Sequence, residues 1–73
     1  MSLAPIKTPG DLGRIVRTAR QAQGLRLEDV AIAAGVGIRF VSELERGKTS
    51  VRLAETLRVL AAVGVRISAE APG

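Results

Sequence analysis

The chain has 73 residues, with eleven Lys or Arg against seven Asp or Glu and a net charge of +4. It holds one Phe and no Cys, His, Trp or Tyr, which excludes a disulfide framework, triad chemistry, cysteine or histidine nucleophiles and any His/Cys metal site. What stays open is one small domain whose positive balance favours an anionic partner.

No apolar run approaches the roughly 20 residues that span a bilayer, and the N-terminus has no continuous apolar stretch. Neither a membrane span nor a secretory signal is therefore expected, and the expected location is cytoplasmic. A chain this short buries only about 60% of the surface its unfolded form exposes, so a lone copy is marginal. Nine of the basic residues are Arg. Arg suits bidentate contact with phosphate and guanine, though scattered charges on solvated helices fit the count equally well.

Residues 1 to 7 show no periodicity and are expected as a loose arm. Thr8-Pro9 signals a helix start, with Thr8 as cap, Pro9 in the first turn and Asp11 at the positive end. Leu12, Ile15, Val16 and Ala19 follow at helical spacing, and Gly24 is the natural stop, so the first helix is expected from about Pro9 to Gln23. A short second helix carries Glu28 and Asp29 in its first turn and Val30, Ala31 and Ala34 on its apolar side. Gly35-Val36-Gly37 then reads as a tight turn. A third helix is expected over about Ile38 to Arg46, stopped by Gly47. Ser50 is the expected cap of a fourth, about Val51 to Val63, ended by Gly64.

In the fourth helix Arg52, Glu55 and Arg58 make one narrow charged stripe, and apolar residues cover most of the rest. One small domain has too little core to bury all of it, so the excess predicts a subunit contact. Val65 to Glu70 alternates with period two and reads as a strand. A lone strand needs a partner, and the simplest is its own copy across a two-fold axis. Val59, Val63, Val65 and Ile67 are the expected dimerisation residues. The divisions are an arm at 1–7, a DNA-binding domain at 8–64, and a dimerisation strand and tail at 65–73.

Leu27 to Arg46 has the spacing of a DNA-binding helix-turn-helix, although short helices joined by a glycine turn also occur in non-binding bundles. At about 100° per residue, Val41, Leu44 and Glu45 share one side of the third helix. Arg39, Ser42, Glu43 and Arg46 share the other, flanked by Ile38 and Phe40. Val41 and Leu44 anchor the helix, and Arg39 is presented near the end that meets base edges.

The run from Gly24 to Lys48, GLRLEDVAIAAGVGIRFVSELERGK, resembles the Xre family of Cro- and phage-repressor-like regulators. The matching marks are Val30-Ala31, Gly35-Val36, Val41-Ser42 and Glu45-Arg46-Gly47-Lys48. Gly35-Val36-Gly37, Arg39-Phe40 and the SELERGK run are similar to the HipB-like antitoxin branch. The resemblance implies a mainly α, four-to-five-helix phage-repressor-like domain whose C-terminal β-strand pairs across a dimer. It implies recognition-helix contacts from Gly37, Ile38, Arg39, Phe40, Ser42 and Glu43, and DNA-backbone contacts from Gly47, Lys48 and Thr49; Arg46, on the same outer side of the third helix, is expected to bind DNA with them. It also implies an internal ion pair between Arg20 and Glu45. Many members open the second helix with a Gln that holds a phosphate; this chain has Leu27 there, and Arg26 or Arg52 is expected to substitute.

Each residue has a plainer role to weigh. Arg39 either reads guanine or pairs with Glu43 at i,i+4. Glu43 either accepts from cytosine N4 or orients a neighbouring Arg, and the second is favoured. Phe40 either packs on a thymine methyl or closes the core edge. Lys48 and Thr49 position the protein on phosphate without reading sequence.

The expected function is a homodimeric, sequence-specific repressor, the antitoxin that autoregulates a prokaryotic toxin–antitoxin operon. It would bind near-palindromic double-stranded DNA with half-sites about 34–36 Å apart and associate with the nucleoid when bound. The resemblance implies a HipA-like kinase toxin as protein partner. The alternative is a protein-interaction module that neutralises a toxin with little DNA binding, to which the apolar Leu27, Gly37, Ile38 and Phe40 lend weight. No catalytic residue, metal or cofactor is expected, because four of the seven acids are assigned to helix starts or pairs and no polar constellation remains to form a pocket.

Overall fold

A computed structural model of the chain describes residues 3–73, and the expectation that Met1 and Ser2 belong to a loose arm lies outside the described residues. Four helices follow in order: α1 Pro9–Ala22, α2 Leu27–Ala34, α3 Ile38–Glu45 and α4 Leu53–Ala62.

The start of α1 is built by exchange. The Asp11 N–H donates to the Thr8 hydroxyl at 3.1 Å, and the Asp11 carboxylate accepts from the Thr8 and Lys7 N–H groups at 3.1 and 2.9 Å. Those bonds, the Lys7 one foremost, hold the Asp11 carboxyl below its ordinary pKa. At the start of α2 the Asp29 carboxylate accepts from the Arg26 N–H at 2.8 Å. Gly24, Gly35, Gly47 and Gly64 lie at the expected stops, all with positive φ.

Two boundaries differ from expectation. Ser50 caps nothing: α4 begins at Leu53, with extended Arg52 in the capping position. Val51 packs against the core from the loop, so it cannot open the helix. Val65 to Glu70 forms no strand, and there is none among the described residues. The alternation marks a two-faced extended segment, but a single copy offers it no second strand. The Val65 N–H instead closes the end of α4 on the Leu60 carbonyl at 2.9 Å, and Val65 packs against the core.

The core gathers Val16 of α1, Val30, Ala31 and Ala34 of α2, Val41 and Leu44 of α3, and Val59, Leu60 and Val63 of α4 or its cap. Each fully buried Val or Leu contributes about 1.5–3 kcal/mol relative to exposure. The expected dimer contacts at Val59 and Val63 are corrected here: they are 0% and 2% exposed within the chain's own core. The apolar surplus of α4 lies instead at Leu53 and Leu57, 69% and 43% exposed. Periodicity could not choose between these sides because α4 is apolar around most of its circumference.

Three contacts fix how the helices sit. A Cβ on Gly13 would stand 2.5 Å from the Leu44 carbonyl oxygen, so α1 crosses the end of α3 at backbone contact. Arg58 of α4 donates through Nε to the Ala34 carbonyl at the end of α2, 3.1 Å away. Gln23 donates through Nε2 to the Ala19 and Val63 carbonyls at 2.9 and 2.8 Å, tying the ends of α1 and α4 together.

Candidate nucleic-acid interface

The turn between α2 and α3 is held from both sides. Gly35 takes the left-handed conformation at φ 70°, and the Val36 N–H donates to the Ala31 carbonyl at 3.0 Å. Val36 packs against the core, so α3 leaves the turn in a set direction. Val41 and Leu44 then bury its inner side.

The outer side of α3 carries exposed Ile38, Arg39 and Arg46, with Ser42 and Glu43 half-buried between them. Phe40 is half-buried and packs against the core, the second of its two expected roles. Arg26, Leu27 and Ile38 line one shallow groove, which brings Arg26 beside the start of α3. Leu27 packs against the core. Beyond α3, the Gly47 and Lys48 N–H groups donate to the Leu44 and Glu43 carbonyls at 3.0 and 3.1 Å. Those amides finish the helix, which leaves the side chains of Lys48 and Thr49 to face outward.

Behind this surface Arg20 and Glu45 meet. Arg20 Nε donates to Glu45 Oε2 at 2.6 Å and Nη2 to Oε1 at 3.0 Å, while Nη1 donates to the Leu25 carbonyl at 2.9 Å. One guanidinium thus joins α1, the α1–α2 turn and the end of α3. Its bond to Glu45 raises the Arg20 pKa further above the ordinary arginine value.

The electrostatics of the outer surface depart from a simple basic patch. Arg26 pairs with Glu28 at 3.0 Å and Asp29 at 3.6 Å, and Arg52 with Glu55 at 2.5 Å. Glu43 takes both Arg39 and Lys48, at 3.5 and 3.3 Å. The Lys48 hydrogen bond first, then the charges of Lys48 and Arg39, hold the Glu43 carboxyl below its ordinary pKa. Among the described residues, Arg46 alone of the expected interface cations has no carboxylate within ion-pair distance.

Sequence reasoning missed Gly13, Arg58 and Gln23, which fix how the helices sit without lying on the α3 surface. A glycine in the middle of an otherwise apolar-periodic helix was the one signal available, since it costs about 1 kcal/mol against Ala unless close packing needs it. Arg58 read as part of a surface stripe, and nothing in the sequence marked Gln23.

A family model described as a helix-turn-helix domain matches residues 11–71. Over 68 residues the chain is 46% identical to an uncharacterized HTH-type transcriptional regulator, y4mF, of Sinorhizobium fredii, covering 93% of this chain and 90% of that protein. Among solved structures, the restriction-modification controller protein C.AhdI from Aeromonas hydrophila is 29% identical with a TM-score of 0.71, over 80% of this chain and 88% of that one. A chain of the HipA-HipB-O2-O3 complex shares the fold at a TM-score of 0.86 and 17% identity, over 97% of this chain and 100% of that one.

Proposed function

This chain belongs to the helix-turn-helix domain family, among its Xre-like regulators, and on that premise we propose that it is a sequence-specific DNA-binding transcriptional repressor. The observation that carries the reading is the posture of α3. Val41 and Leu44 pin its inner side, Arg20 and Glu45 lock its end, and Ile38, Arg39, Ser42, Glu43 and Arg46 are left facing out. Arg26 and Arg52 flank that face as phosphate contacts, Lys48 stands beside them on Glu43, and Gly37, Gly47 and Thr49 lie at its two ends. Arg39 reads a base edge, and Arg46 completes the phosphate contacts.

The chain acts as a homodimer on a near-palindromic operator. Val65 and Ile67 lie on the segment that pairs with its copy. The sequence resemblance to the HipB-like branch, and the fold shared with a chain of the HipA-HipB-O2-O3 complex, support an antitoxin that represses its own operon and binds a HipA-like kinase toxin. Among the described residues no helix is long and apolar enough to cross a membrane, which fits a cytoplasmic regulator.

A second reading has its own support. Ile32 and Leu53 are 79% and 69% exposed, and carboxylates neutralise most of the cations around α3. Both features suit a module that docks on a protein and binds DNA little. Selection of preferred duplexes from a random pool, followed by a salt titration, separates the two. A DNA-reading dimer enriches a palindromic sequence and loses affinity with a log–log slope near −0.9 per neutralised phosphate. No enriched sequence and a flat, weak response decide for the interaction module.

A further inference from the structure

We propose that Glu43 is a specificity-determining residue of the α3 surface, withholding Arg39 and Lys48 from phosphates in general while aiming Arg39 at a base edge. This rests on the DNA-binding reading above. Glu43 Oε2 lies 3.5 Å from Arg39 Nε, and Oε1 lies 3.3 Å from Lys48 Nζ. Each carboxylate oxygen therefore serves one cation: Arg39 one turn earlier in α3, and Lys48 beyond the Gly47 turn. Arg26 and Arg52 are also paired, but among the described residues Glu43 alone bridges two interface cations.

The atoms involved explain why the bridge discriminates. Glu43 engages Arg39 at Nε, which leaves both Nη groups free, and a fork of two N–H donors is what meets guanine O6 and N7. Arg39 thus reads a guanine without leaving Glu43. A duplex of arbitrary sequence offers no matched base edge, so attraction comes from phosphates alone. To reach those phosphates Lys48 must leave Glu43, and Arg39 must swing its fork away from the groove, which breaks its Nε contact with Glu43. A carboxylate whose side chain is only 22% exposed then stands uncompensated beside phosphate charge. Lys48 and Arg39 both hold its pKa down, so it stays ionised at neutral pH. The cost falls mainly on unmatched DNA.

Exposed pairs of this kind contribute little to folding, so Glu43→Gln tests the idea in the full chain. Affinity is read by fluorescence anisotropy on the duplex that wild type selects from a random pool and on an arbitrary duplex, over a salt series. The arbitrary duplex gains affinity, and the ratio between the two falls by about tenfold, within the span of one bidentate base contact. On the arbitrary duplex the log–log salt slope steepens by about 0.9 as Lys48 becomes free to neutralise a phosphate. In an Arg39→Ala background the same substitution leaves the ratio unchanged, because the discrimination runs through Arg39. A ratio within about twofold of wild type, or a fall that persists without Arg39, overturns the inference while DNA binding by wild type stands. A wild-type chain that selects no duplex overturns the DNA-binding reading itself, and this inference with it.

Discussion

Gly13 and Glu45 touch where α1 crosses the end of α3: a Cβ on Gly13 would lie 2.6 Å from the Glu45 carbonyl oxygen. Helix propensity alone makes Gly13→Ala stabilising by about 1 kcal/mol. The crossing reverses that sign, because the obstacle is backbone and the helices must part. Gly13→Ala is expected to destabilise by about 1–3 kcal/mol, as overpacking does. For a domain of this size that lowers Tm by roughly 4–8 °C per kcal/mol in thermal unfolding. A raised Tm would show that α1 and α3 have room to spare.

Arg20→Ala leaves the Glu45 carboxylate almost buried without its counter-ion, since the two side chains are 13% and 6% exposed. The expected loss is about 3–5 kcal/mol by urea unfolding. Replacing both residues by apolar ones of similar volume should recover much of it, because the desolvation cost goes with the charges. If the single and double variants are equally unstable, Arg20 acts through the Leu25 carbonyl and not through Glu45.

Arg39→Ala and Lys48→Ala should differ in kind. The first weakens binding to the selected duplex by about 1–3 kcal/mol and barely alters binding to arbitrary DNA. The second, placed in the Glu43→Gln chain where Lys48 is free of its carboxylate, weakens both alike and makes the salt slope shallower by about 1. Equal losses on both duplexes for Arg39→Ala would remove it from the base-reading role.

Removing Arg66 to Gly73 while keeping Val65, which packs against the core, tests the subunit contact. Dimer affinity and operator affinity should fall together, with the unfolding of the monomer little changed. Sedimentation that finds the same dimer after truncation sends the interface to Leu53 and Leu57 on α4.

The Asp11 carboxylate gives a pH dependence of known sign. Its folded pKa is depressed by the Lys7 and Thr8 N–H groups below the ordinary 3.8. Its contribution is therefore complete above that value and fades as pH falls through the folded one. Asp11→Asn should flatten the acid limb of a stability–pH curve below about pH 4 and leave its neutral region parallel to wild type. An unchanged acid limb would mean that other carboxylates set it.

Local chemistry was legible where one residue type has one use. Thr8, Pro9 and Asp11 announce α1, and Gly24, Gly35, Gly47 and Gly64 announce where helices stop. The inward side of α3 followed from Val41 and Leu44 because its other side is polar. Legibility failed where a pattern has several solutions. The all-round apolar α4 hid Val59 and Val63 in the core, and the alternation of Val65 to Glu70 asks for a strand that one copy does not complete. At the candidate interface the basic positions were readable, and so was the i,i+4 pair of Arg39 with Glu43, but the other carboxylate partners were not. Arg26–Glu28 and Lys48–Glu43 depend on where flexible side chains meet in space.

The Arg58 guanidinium ends on Ala34, the last residue before the left-handed Gly35. That makes it a strut from α4 to the turn that launches α3. The pitch of α3 is thereby tied to the helix behind it: Leu53 and Leu57 sit on the same helix as Arg58, one hydrogen bond away from the turn.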